Sequence, residues 1–321
     1  MYGFRRLMAQ RVIRASFQAD VRALVGMDWE YAMNSFSPVM LIGHTGLLGT
    51  ALRLALCKAG REVITVRSYG LELGDPRTIK ALVPGSCSTV INCAALTDPD
   101  TCERDEEQAM RVNAHALSAL GEACKLAGAT LVHFSTSEIF SGGTTPFSTE
   151  ATPHPVNVYA ASKLAGESAL RESGCEHLII RTSWLFAPWG NNFVRTVASL
   201  GASDGIIHAP EDQTARPTCA TRLALRTLEM IDAEHRGTCH VANRGACTLY
   251  ELACEVARLA DRGAQVRACP STRIGHAADR PEFHVLDTRD TDEAFGALPD
   301  WQLDLAEMVR SWTNLPLRRA A

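Results

Sequence analysis

Four apolar residues, Val39 to Ile42, run into Gly43-His44-Thr45-Gly46-Leu47-Leu48-Gly49, and the chain then continues through the helix-forming stretch Thr50 to Cys57. No other segment narrows the fold so far. A strand, a tight glycine turn and a helix in that order form the context in which a dinucleotide pyrophosphate is bound. Glycines let the backbone approach the phosphates, and the helix start offers free N–H groups with a partial positive charge. The spacing is G-x-x-G-x-x-G, one residue longer than G-x-G-x-x-G. A plain strand-to-helix turn would use the same residues, so other segments must decide between the two.

Downstream, short apolar runs alternate with segments of helical periodicity. Strands are expected at Glu62 to Arg67, Thr89 to Cys93, Leu131 to Thr136 and Leu178 to Thr182, with helices over Glu103 to Leu126 and from Tyr159 towards Ser173. Repeated strand and helix units predict an α/β fold with a doubly wound parallel sheet. Pro153-His154-Pro155 stops the chain before the second helix. Beyond about residue 185 the sequence becomes rich in Gly, Pro, Asn and Trp, with helices expected near 190–200, 220–232, 248–260 and 301–312. The expected organisation is an extension over 1–37, a dinucleotide-binding domain over 38–185, and a smaller discontinuous substrate lobe over 186–321, parts of which return to the first domain. There is no internal repeat and no low-complexity tract.

Within this frame Tyr159-Ala-Ala-Ser-Lys163 carries chemistry. Residues four apart share a helix face. A phenol titrates near ~10 when unperturbed, and an ammonium beside it would make it a better proton donor or acceptor at neutral pH. The pair alone is common in helices. Upstream, Leu131 to Phe140 is an apolar strand ending in Ser135, Thr136 and Ser137. Ligands of open parallel sheets bind outside the carboxyl ends of the strands, so these hydroxyls can hold a carbonyl against the tyrosine. Hydroxyl residues also mark ordinary strand ends.

Composition supports a globular enzyme and argues against several other classes. Of 321 residues, 46% are hydrophobic and 21% charged, enough apolar material for one large core or two lobes. The net charge of −4, with both signs interspersed, gives no nucleic-acid footprint. No apolar run approaches the roughly 18 residues of a membrane span. The 11 cysteines are scattered without a C-x-x-C pair, so neither a disulfide framework nor a metal site is indicated and a cytoplasmic setting is expected. Cys93 and Cys247 read as small buried hydrophobes. Residues 1–37 carry Arg5, Arg6, Arg11 and Arg14 but match nothing in the pattern, and Met33 looks like a native start. They are expected to be an over-extended start or a poorly ordered extension rather than a targeting signal.

Taken together, these segments resemble the extended short-chain dehydrogenase/reductases, and within them the dTDP-4-dehydrorhamnose reductase family. The resemblance also rests on Asn92 to Asp98, Val112-Asn113, Arg181 to Phe186, Asn191 to Thr196, Asp212 to Thr218, Arg280 to Thr288 and Leu298 to Trp301. It implies reduction, by a nicotinamide cofactor, of the 4-keto group of a nucleotide-diphospho 6-deoxyhexose. Tyr159 would deliver the proton, Lys163 would hold the nicotinamide ribose and lower the tyrosine pKa, Thr136 would orient the carbonyl, and Asn113 would support a proton relay. Gly43, Thr45, Gly46, Leu47, Leu48, Gly49, Ala94 and Ala95, with Tyr159 and Lys163, would bind the cofactor. Thr97, Ser137, Glu138, Trp184, Asn192 and Arg280 would form the sugar and diphosphate pocket. A homodimer is compatible with the resemblance, and no nucleic-acid or membrane partner is expected.

The second expected strand ends in Arg67-Ser68, with no acid before Glu72. A guanidinium there suits the 2′-phosphate of NADPH, which makes NADPH the expected cofactor, with NADH as the alternative. The family usually has Asp-Tyr after the Ser-Thr, whereas this chain has Ser137-Glu138. That exchange adds an acid, removes a ring, and leaves the sugar and nucleotide open. A nucleotide-sugar epimerase or dehydratase, and a non-catalytic NADP-binding regulatory subunit, are the alternative readings.

Overall fold

A computed structural model of the protein describes residues 38–66, 83, 85–200, 206–260 and 265–313. The predicted extension and the position of Arg67 lie outside these described residues.

The first part of the chain runs β1 (Val39–Ile42), α1 (Leu47–Lys58), β2 (Val63–Val66), β3 (Thr89–Asn92), α2 (Pro99–Arg104), α3 (Glu106–Met110), a π-helical turn (Arg111–His115), α4 (Ala116–Ala127) and β4 (Thr130–Thr136). After a 3-10 turn (Ser137–Ile139) come α5 (Val158–Ser173) and β5 (His177–Thr182). The remainder contains β6 (Leu185–Phe186), α6 (Phe193–Leu200), β7 (Ile206–Pro210), β8 (Thr214–Ala215), β9 (Thr218–Cys219), α7 (Ala220–Asp232) and β10 (Gly237–His240). It ends with β11 (Cys247–Thr248), α8 (Leu249–Ala260), β12 (Gln265–Cys269), α9 (Arg289–Phe295) and α10 (Trp301–Thr313).

Six strands form one parallel sheet in the order β10-β5-β4-β3-β1-β2. Strand side chains alternate between its two faces, and each face has its own core. Val39, Leu41, Ile91, Val132 and Ile180 pack with Leu52 and Leu56 of α1 and Leu223 and Leu228 of α7. Met40, Ile42, Val90, Leu131 and Ile179 pack with Leu117 and Leu120 of α4 and Leu170 of α5. Both faces are covered, which is why the strands read as continuous apolar runs. From β1 the chain goes to β2 on one side and then crosses to β3 on the other, so the order reverses between β1 and β3. Ligands of such sheets bind at the carboxyl ends of the strands at that reversal.

Residues after 185 do two things. They supply β10 and α7 to the main sheet, and they build a separate core from Phe186, Val194, Val197, Leu252, Val256, Trp301 and Leu305. The predicted single helix over Glu103 to Leu126 is instead broken. Asp105 leaves helical geometry with φ −143° and accepts from Gln108 N with its side chain, so it caps α3 rather than extending α2. A short acidic side chain gains more at such a cap than inside a helix.

Candidate active site

The glycine loop is shaped by two close approaches. Gly43 has φ +75°, and a Cβ there would lie 2.7 Å from Ala94 N at the end of β3. Gly49 sits in the first turn of α1, where a Cβ would lie 2.1 Å from Gly43 O. Side chains at these positions would push the loop off the sheet and the helix off the loop. The start of α1 has no side-chain cap and no acid in its first turn, so its amides are free for an anion.

Across the cleft, Asn157 begins α5: its Oδ1 accepts from Ala160 N at 2.8 Å and its Nδ2 donates to Asp279 O at 2.7 Å. Tyr159 and Lys163 then follow one turn apart, both buried and both lining the cleft. Lys163 Nζ donates to Phe134 O at 2.7 Å and lies 3.0 Å from His133 Nε2. Burial brings the ammonium down to about 8, against opposing charges from Glu167 and Cys93. His133 is held well below its ordinary value, first by burial and then by the Lys163 charge, so it is a neutral acceptor. An ammonium has three N–H donors; with two engaged behind it, Lys163 has one left for the cleft.

Burial and the nearby Glu138 carboxylate push the phenol upward, and the Thr136 hydroxyl beside it opposes them. Tyr159 is thus a neutral phenol at neutral pH, the form that can give a proton. One turn beyond Lys163, Glu167 is fully buried between Arg181 (2.8 and 2.9 Å) and Arg171 (2.8 Å). Burial alone would raise it, but the Arg181 hydrogen bonds and charge, with help from Ser135 and Arg171, hold it below the ordinary carboxylate range.

These elements enclose a cleft of about 430 Å³ at the sheet reversal. Its lining includes Gly46, Leu47, Leu48, Ala94 and Ala95, then Thr136, Tyr159 and Lys163, and also Thr97, Glu138, Trp184 and Asn192.

A family description, the RmlD substrate binding domain, matches residues 37–314. The chain belongs to this family. It is 34% identical over 292 residues to a dTDP-4-dehydrorhamnose reductase of Shigella flexneri, covering 84% of this chain and 96% of the relative. A Mycobacterium tuberculosis protein of the same name is 34% identical over 284 residues, covering 86% and 90%. Among solved structures, a Bacillus anthracis dTDP-4-dehydrorhamnose reductase in complex with NADP superposes with TM-score 0.81 at 29% identity, over 86% of this chain and 99% of that one. A Thermus thermophilus UDP-glucose 4-epimerase in complex with NAD shares the fold, with TM-score 0.73 at 20% identity over 87% and 100%.

In this RmlD-family cleft, several sequence-predicted residues are placed otherwise than expected. Ser137 is fully buried, with Oγ 2.8 Å from His284 Nδ1, because the 3-10 turn after Thr136 sends it inward and Glu138 to the cleft. Asn113, in the π-turn, is also buried: its Oδ1 accepts from Leu96 N, and its Nδ2 donates to Leu96 O and Ser162 Oγ, so it clamps a loop to α5 without lining the cleft. Gly43, Thr45 and Gly49 are not lining residues: Gly43 and Gly49 shape the loop, and Thr45 is exposed on it. Arg280 donates to Asp100 Oδ1 at 3.1 Å and is not a lining residue, yet its Nη1 is buried without a partner. Asn192 lines the cleft while its amide is engaged by Ala187 O, Trp189 O and Arg195 N. Trp184 has φ +38°, a strained position for a bulky residue, and its ring stands edge-on to His284 at 5.5 Å.

The reading from sequence missed His133, Thr182 and Ser183. Thr182 closes β5 and Ser183 follows it, as Ser135 and Thr136 close β4, and the same strand-end rule would have found them. Nothing local in the sequence singles out His133. Of the two cysteines read as core, Cys247 is buried but Cys93 lines the cleft. Among the described residues no cluster of three or more His, Cys, Asp or Glu could hold a metal, and no helix is long and apolar enough to cross a membrane.

Proposed function

We propose that the protein is an NADPH-dependent reductase of the 4-keto group of a nucleotide-diphospho 6-deoxyhexose, dTDP-4-dehydro-L-rhamnose or a close relative. The observation that carries this reading is the convergence of Thr136, Tyr159 and Lys163 in one cleft with the uncapped start of α1. The names of the relatives and the NADP complex of one of them point the same way.

The residues fit a dinucleotide: the absence of side chains at Gly43 and Gly49 lets the loop pack tightly on the end of β3 and on α1, and the uncapped start of α1 suits an anion. NADPH, when bound, supplies the hydride. The chain's own residues act on the sugar carbonyl. The Thr136 hydroxyl holds both the Tyr159 phenol and the carbonyl in line, and Tyr159 passes its proton to the carbonyl oxygen as negative charge develops there. Lys163, fixed from behind by Phe134 O and His133, offers its remaining N–H to the cofactor ribose. Asn113 acts from a distance, by holding the Leu96 loop and α5 together. Arg67 is the residue proposed to accept the 2′-phosphate of NADPH.

The direct test follows loss of NADPH absorbance with dTDP-4-keto-6-deoxy sugars. Stoichiometric oxidation with formation of the 4-hydroxy sugar is expected. Epimer formation with no net NADPH consumption would replace this reading with an epimerase, and NADP binding without any turnover would replace it with a regulatory role.

A further inference from the structure

Two buried polar atoms of opposite charge are left unpaired, one on Glu138 in the cleft lining and one on Arg280 outside that lining. Glu138 is fixed by its backbone, whose N–H donates to Thr136 Oγ1 at 3.1 Å, and the nearby Asn157 amide favours its ionised carboxylate. Its Oε2 is nevertheless buried with no partner. Arg280 is bound through Nη2 to Asp100, and its Nη1 is also buried with no partner. The two side chains attract each other, as the Arg280 charge opposes the effect of burial on Glu138, but Arg280 forms its ion pair with Asp100. An unmade hydrogen bond at a buried charged group is costly, so such atoms mark where a ligand group completes the site.

The chemistry required is narrow. A group between a carboxylate oxygen and a guanidinium N–H must donate to one and accept from the other. A hydroxyl does both; a carbonyl oxygen only accepts, and a methyl group does neither. Glu138 follows Thr136 by two residues and raises Tyr159 electrostatically, so this site adjoins the place where the ketone is held. In a 4-keto-6-deoxyhexose the ketone is flanked by C3, which carries a hydroxyl, and C5, which carries a methyl.

We infer that Glu138 and Arg280 form a hydroxyl-reading site for the sugar, in which the C3 hydroxyl donates to Glu138 Oε2 and accepts from Arg280 Nη1. The inference rests on the reductase reading and adds specificity to it: Glu138 stands where the family usually has a tyrosine, so this chain selects its sugar by charge-assisted hydrogen bonds rather than by an aromatic wall. Deoxygenation at C3 leaves both partners buried and unpaired.

The test is calorimetric titration of the NADP⁺-loaded protein with dTDP-L-rhamnose and with its 3-deoxy analogue. The wild type is expected to bind the hydroxylated sugar roughly 10- to 100-fold more tightly, the scale of a hydrogen bond to a charged group. Glu138→Leu should bring the two affinities within about threefold by weakening the hydroxylated ligand, while Glu138→Gln, which keeps a carbonyl acceptor, should retain part of the preference. Arg280→Met should also reduce it. Unchanged NADP⁺ affinity in each variant shows an intact fold. Equal wild-type affinity for both sugars, or equal weakening of both by Glu138→Leu, would overturn the inference and leave an ordered water bridging the two groups. Because binding is read without turnover, failure of the reductase reading appears separately, as no NADPH oxidation with the 4-keto sugar.

Discussion

The two walls of the cleft are built on different principles. On the cofactor side the loop from Gly43 to Gly49 binds through backbone: the determinants are a missing Cβ, a positive φ and uncapped helix amides. On the sugar side the determinants are side chains from separate segments, Glu138 after β4, Thr182 and Trp184 at and beyond the end of β5, with Arg280, far along the chain, outside the lining. The first wall depends on sterics and tolerates no added atom. The second carries buried polar atoms awaiting partners, among them Glu138 Oε2, Thr182 Oγ1 and Arg280 Nη1. A backbone cradle suits a ligand part common to many enzymes, whereas side chains on long-range supports can be exchanged to choose a sugar.

The seam between the walls is the sharpest place to break this contrast. Tyr159→Phe should lower turnover by about 10²- to 10⁴-fold, the scale of a lost general acid, with NADPH and sugar affinities nearly unchanged. Steady-state kinetics and equilibrium titration decide it, and near-normal turnover would remove the proposed proton donor.

If the seam is held by buried charge outside the lining, Arg181→Met should be next in size. The variant leaves buried Glu167 with Arg171 as its remaining cation, and Arg181 also donates to Thr149 O and lies over the Phe140 ring at 5.3 Å. A loss of about 3–5 kcal/mol in urea denaturation is expected. The pH dependence has a definite sign. Glu167 in the folded wild type titrates below its unfolded value, so its contribution is full above the ordinary carboxylate range and is lost as pH falls through the folded value. In the variant the carboxylate, left with Arg171 alone, is easier to protonate, so the stability gap to wild type should narrow on acidification; a constant gap would show that the ion pair is not its source.

For the cofactor side, Gly49→Ala places a Cβ against Gly43 O and should cost about 1–3 kcal/mol, read as a roughly 10- to 100-fold weaker NADPH affinity with less effect on the sugar. Normal cofactor affinity would mean the loop shifts freely. The smallest effect is expected at His133. His133→Phe removes one acceptor from the buried Lys163 ammonium, so the lysine should lose its proton at lower pH than its present value of about 8. The alkaline limb of kcat/KM should move down and the cofactor KM rise about tenfold, on the scale of a lost hydrogen bond to a charged group, with partial recovery in His133→Gln. A loss of stability with an unmoved pH profile would reduce His133 to packing.

Much of this architecture was legible in the sequence. The alternation of strands and helices, the glycine loop and the Tyr159 and Lys163 spacing are local patterns, because hydrophobic period and steric allowance act between near neighbours. Thr182 and Ser183 were within reach of the same reasoning. Ser137 and Glu138 were not separable, since only the 3-10 turn decides which of two adjacent side chains faces the cleft. Asp105 was hidden because a cap and a helical residue read alike until the backbone turns.

The sequence by itself determined the sheet, the dinucleotide loop and the paired tyrosine and lysine, since each is set by residues within a turn or two of one another. Tertiary structure alone decided the electrostatics. It put neutral His133 behind Lys163, set the Thr136 hydroxyl against the burial that raises Tyr159, gave Asn113 a clamping role, and brought Arg280 within the field of Glu138. Such effects depend on distance through space and on exclusion of water, and neither is a property of spacing along the chain.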